Sequence, residues 1–205
     1  MSTDLFCGEL VRLSDEDPVV MAEAFSRWNR DPEYFRLLDS AAPRLWSAKK
    51  MKDWFEKDLE NPSPTYVSFS IRTLAEDKLI GFVAFDEIRW VPRDAWVAIG
   101  IGEREYWGKG CGTDAMRLML RYGFMALNLN RVTLGVFATN PRAVRSYEKC
   151  GFVHEGCIRE FLLRDGKYWD MFQMGILREE WEAQEQTKTK NEKQNTKSNI
   201  KKRKE

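Results

Sequence analysis

The segment Tyr106-Trp107-Gly108-Lys109-Gly110-Cys111-Gly112-Thr113 constrains the chain more than any other stretch. Three glycines alternate at 108, 110 and 112. A β-branched run, Ala95–Gly102, precedes them and reads as a buried strand. A helix-patterned segment, Asp114–Leu127, follows at once. Strand, glycine-rich turn and helix in that order present a row of amides to an anion, because the first amides of a helix lack intrahelical partners. They also sit at the positive end of the helix dipole. Glycine suits the turn because a Cβ would hinder both the tight bend and the approach of a ligand. A glycine-rich connection with no ligand is the plain alternative.

Spacing sorts the anion-binding possibilities. A Walker loop needs Gly-x-x-x-x-Gly-Lys-Ser/Thr, whereas Lys109 stands between two glycines. A dinucleotide fingerprint needs Gly-x-Gly-x-x-Gly near the start of a βαβ unit, and Gly108-x-Gly110-x-Gly112 misses it by one residue. Both nucleotide readings fail.

Downstream, the strand Arg131–Phe137 leads into Asn140-Pro141-Arg142-Ala143-Val144-Arg145-Ser146-Tyr147-Glu148-Lys149-Cys150-Gly151-Phe152. The pairing of Trp107-Gly108-Lys109-Gly110-Cys111-Gly112 with Asn140-x-x-Ala143-x-x-x-Tyr147-x-x-x-Gly151-Phe152 resembles the GNAT acyl-CoA N-acyltransferases. Within that superfamily, Tyr106–Gly110 and Gly151-Phe152-x-x-Glu155-Gly156 resemble the ribosomal-protein N-terminal acetyltransferase-like branch. The likeness spans Leu10 to Trp181.

The resemblance implies acetyl-CoA as co-substrate and an amine as acceptor, either a protein N-terminus or a small molecule such as a polyamine. It assigns the pyrophosphate to the amides from Lys109 through Gly110, Cys111 and Gly112 to Thr113, beside Trp107 and Gly108. Arg142 and Arg145 are candidates for the 3′-phosphate, with solvated surface as the alternative. The oxyanion donor of such enzymes is a backbone N–H near Ile99 to Ile101, and one preorganised donor is worth roughly 3 kcal/mol. Asn140 fits a cofactor-contacting position, or simply a turn or cap before Pro141.

Tyr147 is the candidate acid for the departing thiolate. A phenol of pKa about 10 facing a thiol near 8.5 makes full transfer uphill by roughly 2 kcal/mol. The role is therefore a hydrogen bond that strengthens as the thiolate forms. An alkyl amine with pKa about 10.4 is neutral in only about one molecule per thousand at pH 7, so a base or a water path must take its proton. Asp86 and Glu87, at the end of the strand Leu79–Phe85, are the candidates, Glu87 slightly ahead; plain hairpin surface is the alternative. Many relatives in this branch carry Glu where Trp96 stands, and the tryptophan here implies a more apolar or aromatic acceptor wall. Cys111 has no histidine beside it to act as a base, and His154 reads as surface. A non-catalytic acyl-CoA-binding module is the competing function.

At 205 residues, with 13% aromatics and 8 Trp, the chain suits one folded domain. The expected fold is mixed α/β (α+β), with helices on both faces of a largely antiparallel sheet in the order β-α-α-β-β-β-α-β-α-β-β. Its helices are Val19–Trp28, Ser47–Leu59, Asp114–Leu127 and Pro141–Cys150, and Val153–Leu163 with Tyr168–Leu177 close it as a hairpin. Four cysteines without a CxxC pair and one histidine argue against a metal site and for reduced thiols, hence a cytoplasmic protein. No apolar run reaches membrane-spanning length.

The GNAT-like domain is expected over residues 1–182 and a disordered basic tail over 183–205. The tail holds eight of the 33 basic residues and three of the 32 acidic ones, net +5, leaving a body of net −4. It could meet nucleic acid or a ribosome by neutralising phosphates, although a solvated end is the simpler reading. A monomer or homodimer is expected.

Overall fold

A computed structural model of the chain describes residues 4–187 and 190. Seven strands form one sheet: β1 (Val11–Ser14), β2 (Val67–Thr73), β3 (Leu79–Arg89), β4 (Asp94–Ile101), β5 (Arg131–Phe137), β6 (Val153–Arg164) and β7 (Lys167–Leu177). Their spatial order is β1-β2-β3-β4-β5-β7-β6. Every neighbouring pair is antiparallel except β4–β5, which is parallel. The expected mixed α/β fold with a largely antiparallel sheet is the fold observed.

Among the described residues, the α-helices between the strands are α1 (Pro18–Trp28), α2 (Pro32–Leu38), α3 (Ala48–Glu60), α4 (Cys111–Met125) and α5 (Pro141–Cys150), and a further helical stretch follows β7. Each start is written locally. Asp17 accepts the Val19 N–H, Asp31 accepts those of Glu33 and Tyr34, Ser47 accepts Lys50 and Asn140 accepts Ala143. Proline occupies the first helical position of α1, α2 and α5, where its missing N–H costs nothing.

Two clusters fill the two faces. On one, Val83 and Phe85 of β3 and Ala95 and Val97 of β4 pack against Ala115, Met119 and Phe124 of α4. On the other, Phe82 of β3 meets Met21, Ala24 and Trp28 of α1 and Tyr34 of α2. The alternation of β3 between the faces follows the two-residue period of a strand. Phe85 and Phe124 are fully buried, and each contributes about 1.5–3 kcal/mol through apolar burial.

Three expectations need correction. The element order has an additional helix, α2, between the two expected at the N-terminal end. Helix α4 begins at Cys111 rather than Asp114, because Gly110, at φ +92°, turns the chain directly into it. Residues 178–187 are helical, so the boundary expected at residue 183 falls inside a helix. That helix is anchored from its first turn. Trp181 packs on Phe124, and the Arg178 guanidinium donates to the carbonyls of Phe124, in the last turn of α4, and Leu129, in the connection that follows. The rest of the expected tail, including its contact with nucleic acid or a ribosome, lies outside the described residues apart from Lys190.

Candidate active site

The parallel pair β4–β5 places the site. Its register runs only from Asp94↔Arg131 to Trp96↔Thr133, after which the strands diverge. The divergence opens a cleft of about 800 Å³ that passes between the two faces of the sheet. Gly102 N–H bonds the Ile80 carbonyl across to β3 at 2.8 Å, which fixes the hydrogen-bonding phase of β4. By antiparallel alternation, the backbone groups of Ile99 and Ile101 point away from β3 and into the cleft. Trp107 Nε1 takes the Ile101 carbonyl at 2.6 Å. The Ile99 and Ile101 amides thus face the cleft.

At the mouth of the cleft, the glycine loop feeds α4. Gly108 and Gly110 have φ of +74° and +92°, a region that side-chain-bearing residues seldom enter. Gly110 is the N-cap and has no side chain with which to cap the helix. Asp114 N–H is the first to bond back, to the Gly110 carbonyl at 2.9 Å. The amides of Cys111, Gly112 and Thr113 therefore lack intrahelical acceptors. Lys109 differs from the expectation: its N–H is directed to the Tyr106 carbonyl at 3.4 Å, and its ammonium lies 5.8 Å from the Tyr106 ring. Cys111, also expected at the site, does not line the cleft. Its side chain is buried, and that burial pushes the thiol up, so a thiolate nucleophile is disfavoured there.

Helix α5 forms the wall on the α4 side. Arg142, Arg145, Tyr147 and Lys149 all line the cleft. Arg142 lies over Trp107, 4.1 Å from its centroid, and Arg104 approaches the same ring at 5.2 Å. Thr113 Oγ1 and Ser146 Oγ, 2.7 Å apart, tie the start of α4 to α5. Asn140 lines the cleft, yet its side-chain oxygen accepts the Ala143 N–H at 3.1 Å; only its amide NH₂ remains for a ligand. Burial pushes the Tyr147 phenol well above its ordinary pKa, with Cys150 adding to the shift, so it stands as a neutral donor at physiological pH.

The opposite wall comes from the other face of the sheet. Asp86 and Trp96 are cross-strand partners, and both line the cleft. Glu87, the slightly preferred base, does not line it. The β3–β4 register breaks between Asp86 and Arg89, and Glu87 adopts φ +49° at that bulge. Asp86 Oδ1 also accepts the Glu87 N–H at 2.8 Å, which fixes the carboxylate. Helix α2 supplies Tyr34, Leu37 and Leu38, followed by Asp39 and Ser40. Arg164, from the β6–β7 hairpin, donates to the carbonyls of Arg36 and Asp39 and so clamps the end of α2. Phe161 completes this side, stacked on Phe137.

The resemblance implies that Asp31–Trp46, with Tyr34, shapes the acceptor pocket, and Tyr34 does line the cleft; Asp39 and Phe161 are not singled out from the sequence. Only the Asp31-Pro32 start signal could have located α2.

A family model described as acetyltransferase (GNAT) domain matches residues 9–153. The chain belongs to the GNAT acetyltransferase family. Among curated relatives, spermidine N(1)-acetyltransferase of Vibrio cholerae is 39% identical over 52% of this chain and 61% of its own length. The Escherichia coli spermidine N(1)-acetyltransferase is 31% identical over 77% of this chain and 86% of its own. Among solved structures, the Vibrio cholerae enzyme in complex with CoA and spermine superposes with a TM-score of 0.71 at 27% identity, covering 83% of this chain and 96% of that one. A further structure of that enzyme is dodecameric, with a TM-score of 0.69 at 28% identity over 83% and 95% of the two chains. The chain is thus an acetyl-CoA-dependent N-acetyltransferase, and the non-catalytic binding module is not favoured.

The residues present fit acetyl-CoA. Unpartnered helix-start amides suit a pyrophosphate, Arg142 and Arg145 suit a further phosphate, and the free β4 edge suits an amide-bearing arm.

Proposed function

We propose that the acceptor is a small polycationic amine of the polyamine class, acetylated by direct attack within a ternary complex. The segregation of charge along the cleft carries this reading. Its basic lining residues, Arg142, Arg145 and Lys149, all stand on α5, while its carboxylates, Asp39 and Asp86, stand on the opposite wall among Tyr34, Trp96 and Phe161. An anionic donor and a cationic acceptor would enter such a cleft from opposite sides. Aromatic faces beside carboxylates suit a chain of ammonium groups, each contact with a ring being worth about 0.5–2 kcal/mol. The Vibrio cholerae and Escherichia coli relatives named above support the same class.

In the reaction, the amine nitrogen attacks the thioester carbonyl carbon. The C–N bond forms, the C–S bond breaks, and the CoA thiolate leaves. Asp86 takes the amine's proton, directly or through water. Ile99 N–H donates to the developing oxyanion. Tyr147 donates a hydrogen bond that strengthens as negative charge gathers on sulfur. Because its pKa is raised, full transfer of its proton would cost more than the roughly 2 kcal/mol of an ordinary phenol–thiol pair.

The proposal includes a cytoplasmic setting, supported by four free thiols. Among the described residues, no helix is long and apolar enough to cross a membrane. A homodimer is the assembly we favour over a monomer. The edge strand β6 has no strand on its outer side and exposes Val153 and Ile158 on one face, an edge suited to a second copy. Light scattering would tell that dimer from a monomer or from the dodecamer of the Vibrio cholerae enzyme.

Thiol release from acetyl-CoA, followed with spermidine, spermine, butylamine and a short N-terminal peptide, tests the acceptor. The proposal expects kcat/KM for a polyamine to exceed that for butylamine at least tenfold. Equal values, or a preference for the peptide, would overturn it.

A further inference from the structure

Tyr34 is 3% exposed, and its hydroxyl has no hydrogen-bond partner. Helix α2 carries it onto the cleft lining, where it meets β4 at Gly100. A Cβ on Gly100 would stand 2.7 Å from the Tyr34 oxygen, so the absence of a side chain lets the phenol approach the strand backbone. The position is held from both ends of α2. Asp31, its N-cap, is bonded by Arg104, and Arg164 donates to the carbonyls of Arg36 and Asp39 at its far end. The fold thus fixes a desolvated O–H that it does not itself satisfy, on the strand whose Ile99 and Ile101 amides face the same cleft. A buried donor without an acceptor is costly, and the cost is relieved when a ligand supplies one.

We propose that the Tyr34 hydroxyl is a second donor to the thioester carbonyl, acting with the Ile99 N–H on the oxygen that becomes the oxyanion. The inference rests on the acetyl-transfer reading of the cleft. Tyr34 comes from the wall opposite Tyr147, because α2 packs on one face of the sheet and α5 on the other. The two phenols therefore have separate tasks. Tyr147 answers charge on the leaving sulfur, and Tyr34 answers charge on the carbonyl oxygen. Burial raises the Tyr34 phenol and keeps it a neutral donor, consistent with that task. The gain is concentrated in the transition state, since a carbonyl oxygen carries more charge there than in the ground state.

Tyr34→Phe in the full chain removes the hydroxyl and preserves the ring. The thermal midpoint should not fall, because the lost group had no partner. Relative to wild type measured in parallel, kcat should drop at least tenfold, with CoA affinity by calorimetry and the amine KM each within about threefold. A rise confined to the amine KM would make Tyr34 an acceptor contact and overturn the proposal. A loss confined to CoA affinity would assign it to the donor's arm, with the same consequence. Unchanged kinetics would leave Tyr34 a packing residue. If wild type itself gives no turnover with any amine, the acetyl-transfer reading fails and the Tyr34 proposal with it. Active wild type beside an equally active Tyr34→Phe sinks the Tyr34 proposal alone.

Discussion

Arg142 stacks on Trp107 with its guanidinium carbon 4.1 Å from the ring centroid, joining the wall of the cleft to its glycine loop. Desolvation lowers the Arg142 pKa from its high ordinary value, but the group stays cationic. A preorganised, partly desolvated cation beside helix-start amides is suited to a phosphate. Arg142→Ala should weaken CoA binding by about 1.5–3 kcal/mol, roughly 10–100-fold in Kd. Arg142→Lys should fall between the two, because it keeps the charge and loses the planar stack. Calorimetry with CoA checks both; equal affinities across the three proteins would separate this pair from the cofactor.

Asp114 governs stability rather than chemistry. Its Oδ2 accepts the N–H groups of Leu10 at 2.7 Å and Val11 at 3.0 Å, tying the start of β1 to the first turn of α4. Asp114→Ala strands two backbone donors, one of them buried, and should cost roughly 2–4 kcal/mol. In a chain of this size that is a fall of about 5–15 °C in Tm. CoA affinity should not fall, since the lost charge is negative and lies near the anion site. An unchanged melting curve would contradict the role.

The Asp31–Arg104 contact predicts a pH dependence. The hydrogen bond from Arg104 is the main cause holding the Asp31 carboxyl below its ordinary range, aided by the Tyr34 and Glu33 amides. A group with a depressed folded pKa adds stability above its unfolded value, about 3.9, and loses that stability as pH falls through the folded value. Arg104→Met should therefore lower the urea midpoint at pH 7 and pH 5. The two curves should converge as pH falls through the lowered folded-state value of Asp31 and the carboxyl becomes protonated in both proteins. A constant gap down to pH 2 would assign the effect to packing.

What the sequence disclosed follows from how local each signal is. The strand–glycine–helix unit at 95–125 is legible because alternation, turn chemistry and helical period are written in consecutive residues. The same holds for α5, marked by Asn140-Pro141 at its start and by Gly151, at φ +96°, at its end. Helix α2 escaped because seven residues give too little periodicity, although Asp31-Pro32 announced it. The start of α4 read three residues late because Gly112 in its first turn weakens helical propensity. The sequence does not rank Asp86 above Glu87, because a bulge set by register with β4 decides which of the two lines the cleft. The approach of Tyr34 to Gly100 joins residues far apart in sequence, and no local pattern encodes it.

The central claim is that this cleft moves an acetyl group to an amine, with Tyr147 attending the departing thiolate. Paired kinetics and calorimetry on Tyr147→Phe test it most directly. Wild type should release thiol from acetyl-CoA in the presence of spermidine. The variant should lose about 10²–10³-fold in kcat while its CoA Kd stays within about threefold. Undiminished turnover by Tyr147→Phe would contradict the account.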